Sequence, residues 1–379
     1  MISVHSAGNA TAFKPDSTAP PPHRRQLKTL TLVVSSFGQP DLEELERLER
    51  DDRFPRVSLF QRALNSDMLD ERAINALRPL RRMVYRVLPT AVARVIEGFL
   101  RRKRYDALIS WGERYSILMG LLLRFMRQKT PHVALVYWIS KPKQSYLLKQ
   151  ASRRIDRIVT WSSVQRKYAL EHLHLPPSKV VYVPYGIDQK FWRPLENSGP
   201  PIISSVGEEM RDYATLLRAV ETTQIPCRIV AKMVRIIGQY GSEWRPIDKY
   251  GPFPANVSVG TATFTELREI YSRSKFVVLP LLPSETSSGL TVLLEAMAMG
   301  KAVICTKSDA QVDVIVEGKT GLFVKGGDPN ALREAIEFLW NLPQKAEEMG
   351  KEARKYVEAH HTIDGFVGSV RTIVEELLP

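Results

Sequence analysis

Cysteine is nearly missing from this chain. Its 379 residues include only Cys227 and Cys305, far apart in apolar runs and in no CxxC pair. That excludes a disulfide framework and points to a reducing compartment. Long hydrophobic runs are missing too. The most apolar stretch, YSILMGLLLRFM from Tyr115, is interrupted by Arg124 and is too short to cross a bilayer. The first twenty-five residues are polar and proline-rich with no apolar core, so they read as a disordered tail and not as a secretory signal. Phosphate-loop and dinucleotide fingerprints, GxxxxGK[ST] and GxGxxG after a strand, are absent. The paired histidines His172/His174 and His360/His361 lack metal-ligand spacing.

What is present is an ordinary globular composition, 44% hydrophobic and 25% charged, in a chain long enough for two domains. The net charge of +13 is unevenly spread. Residues 1–200 hold 34 of the 54 Lys+Arg and 18 of the 41 Asp+Glu, so all of the positive excess lies in the first half. Much of it falls between Leu77 and Arg104, where nine basic residues face only Glu97. From Thr90, Val92, Val95, Ile96 and Phe99 recur at helical spacing with arginine on other faces. Two readings fit that pattern, a helix lying on an anionic bilayer surface and a surface helix packed on its own domain.

Short apolar runs alternate with helical patterns along the whole chain. In the first half the expected strands are TLTLVVSSF, DALISW, HVALVYWI, RIVTWSS and KVVYVPYG; in the second, PIISSVG, CRIVAKM, FVVLPLL, AVICT and GLFV. This alternation predicts an α/β chain with two Rossmann-like, doubly wound parallel sheets, one per half. The expected division is a tail over 1–25, an N-terminal acceptor-binding domain over 26–195, and a C-terminal nucleotide-sugar domain over 196–361. A final helix over 362–379 is expected to pack back on the N-terminal domain. RPLENSGPP (193–201) supplies the linker. A cleft between the carboxyl ends of the two sheets is the expected place for chemistry.

One stretch carries most of the functional information: GLTVLLEAMAMGKAVI, from Gly289 to Ile304. A helix beginning near Ser288 and Gly289 presents free N–H groups and a positive dipole end, a ready phosphate site. Gly289 permits close approach, and Ser287 and Ser288 add hydroxyl donors. Thr291 and Glu295 are four apart on one face, while Leu290, Leu293, Leu294 and Met297 supply the buried one. A carboxylate amid such apolar residues is costly unless a ligand uses it, and Glu295 suits the vicinal hydroxyls of a ribose.

The run resembles the donor-binding signature of the GT-B glycosyltransferases, most closely the large retaining family 4. VPYGIDQKFWRP (183–194), SVGEEMRDYATLLRAV (205–220), NVSVGTATFTEL (256–267) and DVIVEGKTGLFVKGGDPNALREAI (313–336) are similar to that family's segments in the same order. The resemblance implies a GT-B fold and retaining, metal-independent transfer of a hexosyl-type sugar from a UDP- or GDP-linked donor, with no cofactor. A lipid-linked or polysaccharide acceptor is expected, and the reducing compartment and the basic first half add the expectation of a cytoplasmic place at the inner membrane face, with an anionic membrane surface as a partner.

By the same resemblance Arg211 clamps the diphosphate; Glu285, the acid nearest to the family's position, is expected to share the catalytic role by reaching the donor sugar. Lys232, Gly260, Thr261, Ser287, Ser288, Gly289, Leu290, Thr291 and Glu295 line the donor site, and Ser36 and Gly38 form an acceptor-side loop. Lys232, in the run CRIVAKM, is expected either at the cleft or snorkelling out of it.

Three positions depart from the family pattern. Glu208 stands where a basic residue is usual, Ser287 stands eight before Glu295 where an acid is usual, and no histidine follows HVALVYWI. These departures leave open a catalytically inactive nucleotide- or partner-binding protein. Nucleic-acid binding, which a basic chain could suggest, has no supporting module and is not expected.

Overall fold

The computed structural model describes residues 27–33, 40–196, 199–238, 241–283, 288–308 and 313–378. Its contacts separate two compact units. One holds residues 60–184 with the N-terminal strand and 366–379; the other holds 39–59 and 185–365.

The first unit is a six-stranded parallel sheet in the order β2-β1-β3-β4-β5-β6. Its strands are β1 (Thr29–Leu32), β2 (Ser66–Leu69), β3 (Ala107–Trp111), β4 (His132–Val136), β5 (Arg157–Thr160) and β6 (Val180–Tyr182). β4 is buried at every position, as a strand covered on both faces must be. The helix Thr90–Arg101 turns Val95 and Phe99 into a core with Leu30, Leu32, Leu69, Leu108 and Met119. Of the two readings left open for that helix, the packed one holds. Ala91, Val95 and Phe99 are part of this unit's core, while Val92 and Ile96 are half-buried.

The second unit repeats the design in the order β11-β8-β7-β12-β13-β14. Here β7 is Ile202–Val206, β8 Cys227–Val230, β11 Val257–Gly260, β12 Ser274–Leu279, β13 Ala302–Thr306 and β14 Gly321–Val324. Between β8 and β11 an antiparallel hairpin is inserted, β9 (Met233–Gly238) with β10 (Gly241–Pro246). Two doubly wound α/β units of this kind make the fold GT-B, as expected.

The boundary falls between Pro184 and Tyr185, ahead of the proline-rich linker, and residues 39–59 group with the second unit. Ion pairs and the packing of Phe54 on Phe264 tie the segment there. The Arg56 guanidinium donates to Asp188 at 2.8 and 3.0 Å and to Asp364 at 3.0 and 3.1 Å. Asp52 accepts from Arg193 at 2.7 Å and from Arg268 at 2.9 Å, and holds its carboxyl below the usual range through those bonds. Partners this far apart in sequence have no local signature.

The helix Pro343–His360 lies against the helix Leu290–Ala298 and locks its end. Arg354 Nη1 donates to the carbonyls of Ala298, Trp192 and Gln189 at 2.6, 2.7 and 3.0 Å. Replacing it strands three carbonyls at once. Arg354→Ala is expected to lower unfolding stability by about 2–3 kcal/mol, read as a shifted urea midpoint with an unchanged slope.

Candidate functional site

The site is built where β7 and β12, neighbouring strands of the second sheet, reach their carboxyl ends. β7 is buried throughout and stops at Gly207, whose φ of +105° a side chain would rarely adopt. Its lack of a side chain has a second use. A Cβ at Gly207 would collide with Nη2 of Arg211, so the glycine leaves the space the guanidinium occupies.

Arg211 is held from both sides. Its Nε donates to the Val206 carbonyl at 2.8 Å and its Nη1 to the Glu209 carbonyl at 2.6 Å. The backbone around it is stitched to the end of β12, with the Asp212 amide bonded to the Pro280 carbonyl and the Leu282 amide to the Met210 carbonyl. Only 2% of the residue is exposed, and among the described residues no carboxylate forms an ion pair with it. Burial accordingly pushes its pKa down.

The helix Leu290–Ala298 begins against this charge. Gly289, at φ +82°, is its N-terminal cap, with no side-chain cap bond to the first turn. A Cβ there would lie 2.8 Å from Leu279 Cδ2 and 3.3 Å from Arg211 Nη1. A guanidinium and the positive end of a helix therefore face each other, and among the described residues no carboxylate is ion-paired with the guanidinium. Both repel a cation, and both are satisfied by one anion.

Farther along the same helix, Glu295 is 6% exposed and accepts a 3.0 Å hydrogen bond from the Tyr271 hydroxyl. Burial raises its pKa to about 8; the Tyr271 bond and the Arg211 charge pull it down. Tyr271, fully buried, is pushed up by burial and by Glu295. The Tyr185 hydroxyl is raised chiefly by burial, with Glu295 adding to it.

The other expected residues divide. Ser288 and Leu290 are buried at the helix start, whereas Thr291 is exposed and does not share the environment of Glu295. Gly260 ends β11 at the same carboxyl edge of the sheet. Thr261 follows it and lines a 410 Å³ groove with Arg228, Ser258, Glu266 and Arg273. Glu285, Ser287, Ser36 and Gly38 lie outside the described residues.

Lys232 is not in a strand facing the core. β8 stops at Val230, and the side chain, at the bend before β9, is exposed. Glu208 explains the bend. Its Oε1 accepts from the amides of Lys232 and Met233, both at 3.0 Å. The acid at the unusual position thus anchors the inserted hairpin by its backbone. The hairpin in turn bonds to the loop bearing Arg211, through the Met210 amide and the Arg235 carbonyl at 2.7 Å.

Sequence reading missed Tyr271, the partner of Glu295, and a matching feature of the first unit. There β3 ends at Trp111, Gly112 takes φ +101°, and Glu113 accepts from the amides of Tyr137 and Trp138. Trp111, Tyr137 and Trp161, at the ends of β3, β4 and β5, form a ring cluster with centroids 6.0 and 6.4 Å apart. The strand–Gly–Glu pattern of SWGE, parallel to SVGE, was its available signal.

Comparison with known proteins gives a consistent family. Residues 187–356 match the family described as Glycosyl transferases group 1, and residues 42–191 match Glycosyltransferase Family 4. A D-rhamnosyltransferase, WbpZ of Pseudomonas aeruginosa, is 28% identical over 242 residues, 55% of this chain and 56% of its own. The chain spans between half and two thirds of the length of the first curated relatives it matches. Among solved structures, sucrose-phosphate synthase from Thermosynechococcus elongatus superposes with a TM-score of 0.69 at 16% identity, covering 93% of this chain and 99% of that one. HepE of Anabaena, in complex with UDP and glucose, does so at 0.66 and 13%, covering 93% and 100%. Likeness at such identities shows the fold.

The raised pKa of Glu295 has a definite thermodynamic sign. The folded protein holds a proton that the unfolded chain releases near pH 4.5, so stability is full below that value and falls as pH rises towards about 8. Glu295→Gln removes this dependence. Its stability relative to the parent is expected to improve between pH 5 and pH 8, at up to about 1.4 kcal/mol per pH unit, in parallel urea titrations.

Proposed function

We propose, for a chain that belongs to the group 1 glycosyltransferases, that it moves a sugar from a nucleoside-diphosphate donor to a hydroxyl of a lipid-linked or polysaccharide acceptor. One observation carries this reading: the buried Arg211 guanidinium, without a carboxylate partner among the described residues, facing the uncapped start of the helix Leu290–Ala298. A diphosphate is the anion that fits. It takes bidentate bonds from arginine and single bonds from helix amides, and its charge grows as the sugar departs.

In the proposed complex Arg211 and the amides after Gly289 hold the diphosphate. Glu295, with Tyr271 behind it, receives the ribose hydroxyls. Glu285 reaches the donor sugar from its loop. The acceptor oxygen bonds to the anomeric carbon from the side on which the phosphate leaves, so configuration is retained. The bond from that carbon to the phosphate oxygen breaks, and the acceptor's proton passes to the departing phosphate. Neither a histidine base nor a metal is required in this scheme, since Arg211 and the helix end supply the positive charge. The rings of Trp111, Tyr137 and Trp161 supply apolar faces on which an acceptor sugar can stack.

Calorimetry with UDP, GDP and ADP in the presence of EDTA tests the donor half of the proposal. One nucleotide is expected to bind, and Arg211→Met, which keeps bulk and removes charge, is expected to weaken it about 10- to 100-fold while the protein stays folded. Equal binding by parent and variant would remove Arg211 from the site.

A further inference from the structure

The helix Pro79–Arg86 touches the helix Thr90–Arg101 and buries only Tyr85. Tyr85 is its inward residue, 7% exposed, and donates at 2.9 Å to Oε2 of Glu97. Glu97 is fully buried and also takes Arg101 at 2.6 Å and Arg81 at 3.4 Å. This tie fixes the rotation of the short helix. Residues opposite Tyr85 must then point to solvent, and these are apolar. Leu80, Met83, Val84 and Val87 are 72, 60, 52 and 82% exposed. Their spacing of i, i+3, i+4, i+7 makes one continuous stripe. Arg78, Arg81 and Arg86 are exposed along the same helix.

Such a stripe is costly in water and marks a contact surface. Charge decides what covers it. The undescribed residues 1–26 contain Lys14, Arg24 and Arg25 against Asp16, the same sign as the helix. A second copy pairing stripe to stripe would bring arginines against arginines. An anionic bilayer surface supplies both needs at once, an apolar layer for the four side chains and negative headgroups for the guanidinium groups.

We propose that the helix Pro79–Arg86 docks this unit on the surface of an anionic membrane. Leu80, Met83, Val84 and Val87 enter the boundary between headgroups and acyl chains, and Arg78 and Arg86 meet the lipid phosphates. Among the described residues no helix is long and apolar enough to cross a bilayer, so the contact is with its surface. The surface lies on the opposite side of the helix from the core face, and the inference stands apart from the donor-site proposal.

Co-sedimentation of the full chain with vesicles tests it, using phosphatidylcholine alone and phosphatidylcholine with 30% phosphatidylglycerol (about one anionic lipid in three). Binding to the anionic vesicles is expected to exceed binding to the neutral ones about tenfold or more and to fall with added salt. Leu80→Ser/Val84→Ser/Val87→Ser should lose about tenfold or more of that binding with little change in melting temperature, since each side chain is more than half exposed. Arg78→Glu/Arg86→Glu should lose a similar factor and decides the matter if the serine variant is destabilised. The proposal fails if the folded variants bind as the parent does, or if the parent binds neither vesicle. It fails equally if the parent self-associates and the serine variant does not, which would assign the stripe to a second copy.

Discussion

A buried guanidinium with no ion-paired carboxylate among the described residues is the constraint around which this part of the second unit is arranged. Arg211 needs β7 to end in a glycine, needs Glu209 and Val206 to lend carbonyls, and needs the end of β12 to grip its backbone. None of these neutralises it. The helix Leu290–Ala298 compounds the problem by directing its positive end at the same point, through a second glycine. On the proposed reading these two positive elements are held together to receive an anion, and such a site is where folding and function pull apart.

Much of this was readable in the sequence. Apolar runs bounded by glycine and proline located most sheet strands, with AVICT and GLFV matching β13 and β14 residue for residue. The helix after Gly289 followed from its apolar spacing, whereas Glu295 is buried and Thr291 exposed although the spacing put both on one face apart from the buried leucines. Less legible were elements defined by distant partners. β2 is a four-residue edge strand with two polar positions, and residues 39–59 join the second unit through ion pairs spanning more than a hundred residues. Lys232 was misplaced because CRIVAKM reads as one strand, although Glu208 ends it by capturing two amides. The same bond shows why an acid occupies that position. Its task is backbone anchoring, so the lost positive charge is not a lost ligand by default.

The positive first half shows how composition alone misassigns a surface. Val92, Val95, Ile96 and Phe99 make the more regular amphipathic pattern, yet Val95 and Phe99 lie in the core and Val92 and Ile96 are half-buried. The exposed apolar stripe belongs to the shorter helix before it, whose rotation is set by one tyrosine and one buried glutamate. Sequence periodicity identifies two-sided helices; only tertiary bonds say which side is covered.

The most direct test of the central claim is the position of phosphate. In a crystal of the protein soaked with the nucleoside diphosphate it binds, the account predicts both phosphates within hydrogen-bond reach of the Arg211 guanidinium and the amides following Gly289, with the ribose at Glu295. Phosphate density elsewhere, with Arg211 and the helix end still facing each other unrelieved, would contradict it.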